Sequence, residues 1–283
     1  MKRAALAVLA VAMLPGCFKL DPFLYARQRT DHYVFNPQGV DAASTIDVGQ
    51  IDEPVAIQVN GEVQIWTVYV RATAQPPRGY GIFFHGNGPH MANDGQFGHV
   101  KRLANLGYDV LAVDYRGYGM STDVEPTEVG IEEDTRAALA SMTARVGTDR
   151  LFYYGHSLGA AIALQRASID PPRALVMESA FASIQEFEGD ATLMDFPDDY
   201  VAWDSWASST RIQSVGRVLF LHGLADDYVR PEFSERLYQR AQDPKQLVLV
   251  EGADHGTVAA KLGDQYAVTI HGWIDQFIPP WAG

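Results

Sequence analysis

The sequence contains only one cysteine, Cys17, so an intramolecular disulfide is excluded. Positive charge is also scarce, because 22 Lys and Arg residues against 35 Asp and Glu residues leave a formal net charge of −13. A chain of this charge repels phosphate backbones, so nucleic acid is not expected as a partner. No repeat or low-complexity segment is present, and a hydrophobic content of 47% with 20% charged residues is that of an ordinary globular protein.

Motifs that bind common cofactors are missing as well. The chain has neither a P-loop nor a GxGxxG pattern, so a nucleotide cofactor has no visible site. No HExxH motif or set of cysteines accompanies the histidines, and metal binding by His85, His90 and His99 is the weaker interpretation of those residues. We therefore predict an activity that needs no cofactor and no metal.

The N-terminus carries the pattern of an export signal. Lys2 and Arg3 precede an uncharged run over residues 4–14. A run of about 11 residues suits the core of a signal peptide, whereas a membrane-spanning helix needs about 20. The LPGC stretch that follows resembles the lipobox of bacterial lipoproteins, in which the cysteine is acylated and becomes the mature N-terminus. The sequence thus predicts a signal peptide over residues 1–16 and a membrane anchor on Cys17.

Two neighbouring residues bear on localisation. Phe18, rather than aspartate, follows the cysteine, which resembles the pattern that sorts lipoproteins to the outer membrane in a host with two membranes. Pro15 departs from the lipobox, where a small or β-branched residue is more usual. The alternatives are an unprocessed anchor, or cleavage elsewhere, for instance after Ala12, which would release a soluble exported protein.

The rest of the chain is predicted to form a tether followed by one α/β domain. Residues 17–50 are polar and lack periodicity, so we expect a tether, irregular structure and little chemistry there. Residues 51–283 form the domain, which begins with an antiparallel hairpin whose two-residue turn is Asn60-Gly61. Apolar runs then alternate with helical patterns, which predicts a mostly parallel eight-stranded sheet flanked by helices.

The stretch over residues 179–216 breaks this alternation. We predict a short cap there, with a solvated crossover containing one helix as the alternative. Four aromatic residues of the stretch either line an acyl pocket or form the core of the cap: Phe196, Tyr200, Trp203 and Trp206.

The GHSLG stretch (155–159) places Ser157 between a predicted strand and a predicted helix. A nucleophile elbow requires this order, because its serine lies on a sharp turn and the glycines let strand and helix approach each other. Backbone N–H groups at the helix N-terminus also favour developing negative charge. We predict that Ser157 is a nucleophile rather than a residue of a tight turn.

A serine hydroxyl needs a base, and in open α/β sheets ligands bind at the carboxyl ends of the strands. His255 follows the last predicted strand and is the candidate base. Asp226 follows the preceding strand and is the candidate carboxylate that fixes the tautomer of the histidine. Asp227 and Glu178 are the alternative acids.

The oxyanion hole of such a site requires two N–H donors. The residue after the nucleophile supplies one, so the backbone N–H of Leu158 is the first candidate. The second is the backbone N–H of Asn87, which lies in the HGNG stretch (85–88) after the third predicted strand.

Seven stretches of the chain, in this order, resemble the serine α/β-hydrolase superfamily: FFHGNG, VLAVDYRGYGMS, EPTEVGIEEDTRAAL, YYGHSLGAAIAL, ESAFASI, VLFLHGLADDYV and GADHG. They are most similar to the α/β-hydrolase-domain branch, which includes protein depalmitoylases and bacterial membrane-associated relatives. The resemblance implies the α/β-hydrolase fold, a triad of Ser157, Asp226 and His255, and a scaffold role for DYRGYG (114–119). Gly88-Pro89 departs from the Ala-Gly that such relatives often carry, so the substrate does not follow from the resemblance.

We therefore expect a serine hydrolase that cleaves a small-molecule or lipid acyl ester through an acyl-serine intermediate. Thioester cleavage, as in a depalmitoylase, and amide cleavage are alternatives within the same class. A non-catalytic binding lipoprotein on a hydrolase scaffold is the alternative from a different class. The sequence carries no signal for an oligomeric state.

Overall fold

The computed structural model describes residues 25–184, 186 and 206–279. The predicted signal peptide and Cys17 lie outside the described residues, as do Phe196, Tyr200 and Trp203 of the predicted cap. Within the described part of the chain, no helix combines the length and the apolar character needed to cross a membrane.

An eight-stranded sheet forms the centre of the fold, in the order β1-β2-β4-β3-β5-β6-β7-β8. The strands are β1 (Val55–Gln58), β2 (Gln64–Val70), β3 (Gly79–Phe84), β4 (Tyr108–Asp114), β5 (Leu151–His156), β6 (Ala174–Glu178), β7 (Val218–Gly223) and β8 (Lys245–Val250). β2 pairs antiparallel with β1 and β4, and the other neighbours are parallel. The predicted mostly parallel sheet with an antiparallel N-terminal hairpin is confirmed.

Helices cover both faces of this sheet. They are α1 (Asp94–Asn105), α2 (Glu128–Val146), α3 (Leu158–Ile169), α4 (Ser208–Arg211), α5 (Glu232–Arg240), α6 (Val258–Leu262) and α7 (Asp264–Ile274). α1, α6 and α7 pack apolar side chains on one face, whereas α2, α3 and α5 pack on the other. Because both faces are covered, every residue of β4, β5, β6 and β7 is buried, which explains their continuous apolar sequences.

Two local predictions differ from the structure. β1 and β2 are joined by residues 59–63, in which the Val59 N–H donates to the Val63 carbonyl at 2.9 Å and so encloses three residues (60–62). The predicted two-residue turn is wrong, since the Asn60 side chain accepts hydrogen bonds from the backbone N–H groups of Glu62 and Val63 and so stabilises the longer loop. The pattern of residues 257–277 predicts one helix, but the structure divides it into α6 and α7 at Gly263, whose φ is +52°.

Residues 25–51 have little regular structure but pack on the domain. Tyr25 and Ile46 are buried. Lys101 of α1 donates to the carbonyl of Asn36 at 2.9 Å, and Arg102 pairs with Asp41 at 2.7 Å. This part of the chain is therefore attached to α1 and, through Tyr33 and Asp114, to the carboxyl end of β4.

Candidate active site

Ser157 lies on a sharp turn between β5 and α3. Its φ is +56° and its ψ is −121°, a strained conformation for a residue other than glycine and the one that a nucleophile elbow needs. A Cβ on Gly159 would lie 1.9 Å from the carbonyl oxygen of Phe84, and one on Gly155 would lie 2.1 Å from the carbonyl oxygen of Gly159. Strand and helix approach each other so closely that both positions need glycine.

His255 and Asp226 are in contact at the carboxyl ends of the last two strands. His255 Nδ1 lies 2.8 Å from Asp226 Oδ2. The other oxygen of Asp226 accepts hydrogen bonds from the backbone N–H groups of Tyr228 and Val229, at 3.1 and 2.8 Å. A carboxylate at Nδ1 holds the proton on that nitrogen, so Nε2 of His255 is the nitrogen that can accept a proton.

His222 supports Asp226 from the opposite side. Its Nε2 lies 3.3 Å from Asp226 Oδ2, and its Nδ1 pairs with the Ser234 hydroxyl at 2.6 Å. Burial raises the pKa of Asp226, but the hydrogen bonds from His222 and His255 outweigh burial and bring the pKa below its usual range. Asp226 is therefore ionised at neutral pH. The sequence did not indicate that His222 contacts Asp226, because His222 belongs to a predicted strand.

The two alternative acids occupy other positions. Asp227 is exposed. Glu178 is fully buried, where it accepts a hydrogen bond from Tyr154 and lies 3.4 Å from His99. Of the three acids that the sequence offers, Asp226 is the one within hydrogen-bond distance of His255.

The backbone of His255 is held by residues that end two other strands. Its carbonyl oxygen lies 2.9 Å from His156 Nε2 and 3.4 Å from the Ser179 hydroxyl. The His156 and His255 rings lie 5.0 Å apart between centroids. Ser179 has a φ of +52°, so strained backbone occurs after both β5 and β6.

His99, His156 and Glu178 form a buried cluster whose ligand atoms all lie within 4.8 Å of one another, which makes it a candidate metal site. The His99 and His156 rings are stacked, with centroids 4.8 Å apart and planes 29° apart. The lone pairs of two stacked rings lie in nearly parallel planes, whereas a metal needs its ligand lone pairs to converge on one point. We therefore assign no metal to this cluster.

Burial and the neighbouring polar groups together determine the charges in this cluster. Burial, together with the neighbouring His99 and His255, lowers the pKa of His156 to about 3. For Glu178, burial raises the pKa, but the neighbouring His99, His156 and Tyr154 outweigh burial and lower it to about 2. At neutral pH, His156 is therefore neutral and Glu178 is a buried anion.

The predicted oxyanion donors adjoin the elbow. Leu158 begins α3, so its N–H belongs to the first turn of the helix, where no intrahelical acceptor exists. Asn87 lies in the β3 loop (residues 85–90). Its neighbour Gly86 packs directly on the elbow, because a Cβ there would lie 3.3 Å from the Cβ of Ser157.

The N-terminal segment (residues 25–30) lies across the β3 loop. The Ala26 N–H donates to Asn87 Oδ1 at 2.9 Å. Tyr25 is 3% exposed, and its hydroxyl accepts a hydrogen bond from Trp206 Nε1 at 3.1 Å. Sequence patterns did not indicate this contact, because the segment is short and lacks periodicity. Trp206 is fully buried in the core, so of the two roles considered for the cap aromatics, packing describes this residue.

Buried polar contacts hold the loop after β4 in place. Asp114 accepts a hydrogen bond from the Tyr33 hydroxyl at 2.6 Å and lies 3.1 Å from His85 Nε2. Arg116 pairs with Asp134 at 2.8 Å. His85 therefore lies beside Asp114, and His99 lies in the cluster with Glu178, so the histidines considered for a metal site have different partners.

Residues 75–196 match the family model described as serine aminopeptidase, S33. An uncharacterised protein of Mycobacterium tuberculosis is 40% identical over 156 residues, which cover 54% of this chain and 55% of that protein. The lysophosphatidylserine lipase ABHD12 of Danio rerio is 31% identical over 185 residues, which cover 59% of this chain and 48% of that protein. The chain thus spans about half of the length of these curated relatives.

The fold is also found among solved structures. The esterase Pf2001 of Pyrococcus furiosus has a TM-score of 0.68 to this chain at 17% sequence identity, and the likeness covers 88% of this chain and 100% of the esterase. At this sequence identity, the likeness shows that the two proteins share a fold.

Proposed function

We propose that this chain, which belongs to the α/β-hydrolase superfamily, is a serine hydrolase that cleaves carboxylic esters through an acyl intermediate on Ser157. The observation that carries the proposal is the contact of His255 with Asp226 at 2.8 Å, beside a serine on a strained strand-to-helix turn. Nucleophile, acid and base follow one another along the chain in the order of the superfamily.

In the proposed reaction, Nε2 of His255 accepts the proton of the Ser157 hydroxyl while Oγ attacks the acyl carbon. The anionic Asp226 stabilises the imidazolium that forms. The backbone N–H groups of Leu158 and Asn87 bind the oxyanion of the tetrahedral intermediate, and each such donor contributes about 2.7 to 4 kcal/mol of transition-state stabilisation. The imidazolium protonates the departing alcohol, and water then releases the acyl group from the serine by the same steps.

An ester is the proposed substrate because one similar protein is named a lipase and another an esterase. The same groups can attack a thioester or an amide, and the family model is described as a serine aminopeptidase. A series of p-nitrophenyl esters of graded chain length, assayed beside acyl-thioesters and amides, tests the assignment. We expect the highest kcat/KM for an ester, and a higher value for a thioester or an amide would reassign the substrate.

We also propose that the protein is exported and anchored to a membrane through acylated Cys17, the outer membrane where the host has two. The LPGC stretch supports this localisation. Metabolic labelling with an alkyne-bearing fatty acid should mark the natural protein, whereas Cys17→Ser should abolish the label and move the protein from the membrane fraction to the soluble fraction. Labelling that survives Cys17→Ser would contradict the proposal.

Covalent labelling tests the nucleophile. A fluorophosphonate should label the natural protein and Ser168→Ala, whose serine lies further along the same helix, but not Ser157→Ala. An activated ester should show a burst of leaving group, and Ser157→Ala should reduce turnover roughly a million-fold. If the folded natural protein is never labelled, the alternative of a non-catalytic binding lipoprotein replaces this proposal.

A further inference from the structure

The N-terminal segment connects two loops at the catalytic end of the sheet, the β3 loop and the loop after β4. We propose that this segment preorganises the oxyanion hole by fixing the position of Asn87. The inference rests on the proposed function, since it concerns the donors that would bind the tetrahedral intermediate. It adds a part of the chain that lies outside residues 75–196, the range that matches the family model.

The side chain of Asn87 joins the segment to the β3 loop. Its Oδ1 accepts hydrogen bonds from the Ala26 N–H at 2.9 Å, the Tyr118 hydroxyl at 2.9 Å and the Gly88 N–H at 3.0 Å. An amide oxygen has two lone pairs, so three donors occupy it fully and hold the side chain in one orientation. The N–H that would face the oxyanion belongs to the same residue, so its position depends on these contacts.

Backbone hydrogen bonds extend this attachment. The Gln28 N–H donates to the Gly88 carbonyl at 2.8 Å, and the Gln28 carbonyl accepts from the Gly119 N–H at 2.9 Å. The Thr30 N–H donates back to the Gly119 carbonyl at 3.2 Å. Gly88 has a φ of +98°, and a glycine in such a loop has wide conformational freedom unless neighbouring groups restrict it. The segment supplies that restriction.

Tyr25 fixes the start of the segment. Its ring is buried, and its hydroxyl is bonded to Trp206, which is itself fully buried. The backbone N–H of Trp206 donates to the Glu128 carboxylate of α2 at 3.2 Å. The segment therefore cannot leave the β3 loop without exposing an aromatic ring and breaking a buried hydrogen bond.

Loss of the contacts between the segment and Asn87 should weaken stabilisation of the transition state more than it weakens substrate binding. Oxyanion donors stabilise the transition state because they are already in place when charge develops. A displacement of about 1 Å in such a group can reduce the rate about 100-fold. An interaction made only in the transition state affects kcat and leaves KM nearly unchanged. Loosening the segment should therefore lower kcat.

Two substitutions at one position of the full-length chain test this inference. Ala26→Pro removes the N–H that donates to Asn87 Oδ1, whereas the control Ala26→Ser keeps it. We expect Ala26→Pro to lower kcat about 10-fold or more relative to Ala26→Ser, with KM within about two-fold. A trifluoromethyl ketone adds to the serine as a tetrahedral oxyanion, so its Ki should rise by the same factor as kcat/KM falls.

A double-mutant cycle separates this mechanism from a general loss of structure. Asn87→Ala removes the acceptor and retains the backbone N–H of residue 87. If the segment acts through that side chain, Ala26→Pro should have little further effect in the Asn87→Ala background, whereas independent structural effects would multiply. Tyr118→Phe removes another donor from the same oxygen without changing the backbone, and it should also raise the Ki.

Three outcomes would overturn the inference. One is equal kcat and Ki for Ala26→Pro and Ala26→Ser, another is multiplicative effects in the double mutant, and the third is a rise in KM with unchanged kcat. If Ala26→Pro does not fold, as judged by its thermal unfolding, the cycle between Tyr25→Phe, which removes the hydroxyl that accepts from Trp206, and Asn87→Ala decides the question in the same way. Failure of the ketone to inhibit the natural protein would instead contradict the proposed serine mechanism.

Discussion

Nε2 of His156 lies 2.9 Å from the carbonyl oxygen of His255, so the residue before the proposed nucleophile holds the backbone of the proposed base. A carbonyl only accepts hydrogen bonds, so Nε2 must carry the proton. His156 is neutral because burial lowers its pKa to about 3. Its tautomer is therefore defined by the contact, and its role is to position His255 against Asp226.

Removing this contact should slow catalysis without weakening substrate binding. His156→Phe keeps a ring but loses the donor, and we expect kcat to fall about 10-fold to 100-fold with KM little changed. His156→Gln retains an N–H donor and should recover part of the activity. The far-downfield proton NMR signal of the Nδ1–H between His255 and Asp226 should weaken in His156→Phe. An unchanged signal together with unchanged kcat would show that the contact positions nothing.

The buried neutral His156 should make the protein less stable in acid. Its pKa is about 3 in the folded protein against an ordinary 6.5. The unfolded chain therefore takes up a proton first as the pH falls below 6.5, and the free energy of unfolding decreases from there towards pH 3 by up to about 1.4 kcal/mol per pH unit. Above pH 6.5 His156 is neutral in both the folded and the unfolded chain, so this loss of unfolding free energy is absent.

Urea unfolding at several pH values between about 7 and about 5 measures this dependence. The slope for His156→Phe should be smaller by about one proton than the slope for the natural protein. Glu178, whose pKa is lowered from 4.5 to about 2, loses its contribution only below pH 4.5, so it does not obscure the histidine. Equal slopes for the two proteins would contradict the neutral, buried histidine.

The two adjacent aspartates offer a matched test of the triad acid. Asp226→Asn should lower kcat about 10⁴-fold, because an amide no longer holds the proton on Nδ1 of His255. Asp227→Asn removes the same charge from an exposed residue next to it and should leave kcat within about two-fold. Comparable losses in the two variants would mean that the charge of the loop, rather than the contact of Asp226 with His255, determines the activity.

Replacing a glycine of the elbow by alanine should destabilise the protein, whereas replacing a glycine on the surface should not. Gly159→Ala would place a Cβ 1.9 Å from the Phe84 carbonyl oxygen, so we expect destabilisation of about 3 kcal/mol or more, or no folded protein. Gly272 lies on the exposed side of α7 with nothing within 4 Å of the added atom. Gly272→Ala should stabilise the protein by up to about 1 kcal/mol, since alanine favours helix. Thermal and urea unfolding of both variants measure these differences.

The sheet could be predicted from the sequence because its central strands are short, largely apolar runs of residues. β4 corresponds to the stretch YDVLAVD, whose apolar centre VLAV predicts a strand that the structure places at Tyr108–Asp114. The candidate triad residues could be proposed for a similar reason, since topology brings the carboxyl ends of parallel strands to one edge of the sheet. Knowing which residue follows each strand was therefore enough to expect Ser157, Asp226 and His255 near one another.

Other contacts had no such signature. His99, His156 and Glu178 come from a helix and two strands, and only the packing of α1 on the sheet brings them together. The two-residue turn at Asn60-Gly61 was wrong because a side-chain hydrogen bond stabilised a longer loop. The N-terminal segment binds partly through its backbone, and backbone hydrogen bonds leave no pattern in the side chains that a sequence records.

The fixed position of Tyr25 limits where the reaction can take place. Seven residues lie between Cys17 and Tyr25, and the eight residue-to-residue steps span at most about 28 Å when fully extended. With the anchor proposed on Cys17, Tyr25 stays within about 28 Å of the bilayer surface. An enzyme confined in this way samples substrate by its density per unit area of membrane rather than by its concentration in solution, so its turnover should follow the composition of the membrane in which it is anchored.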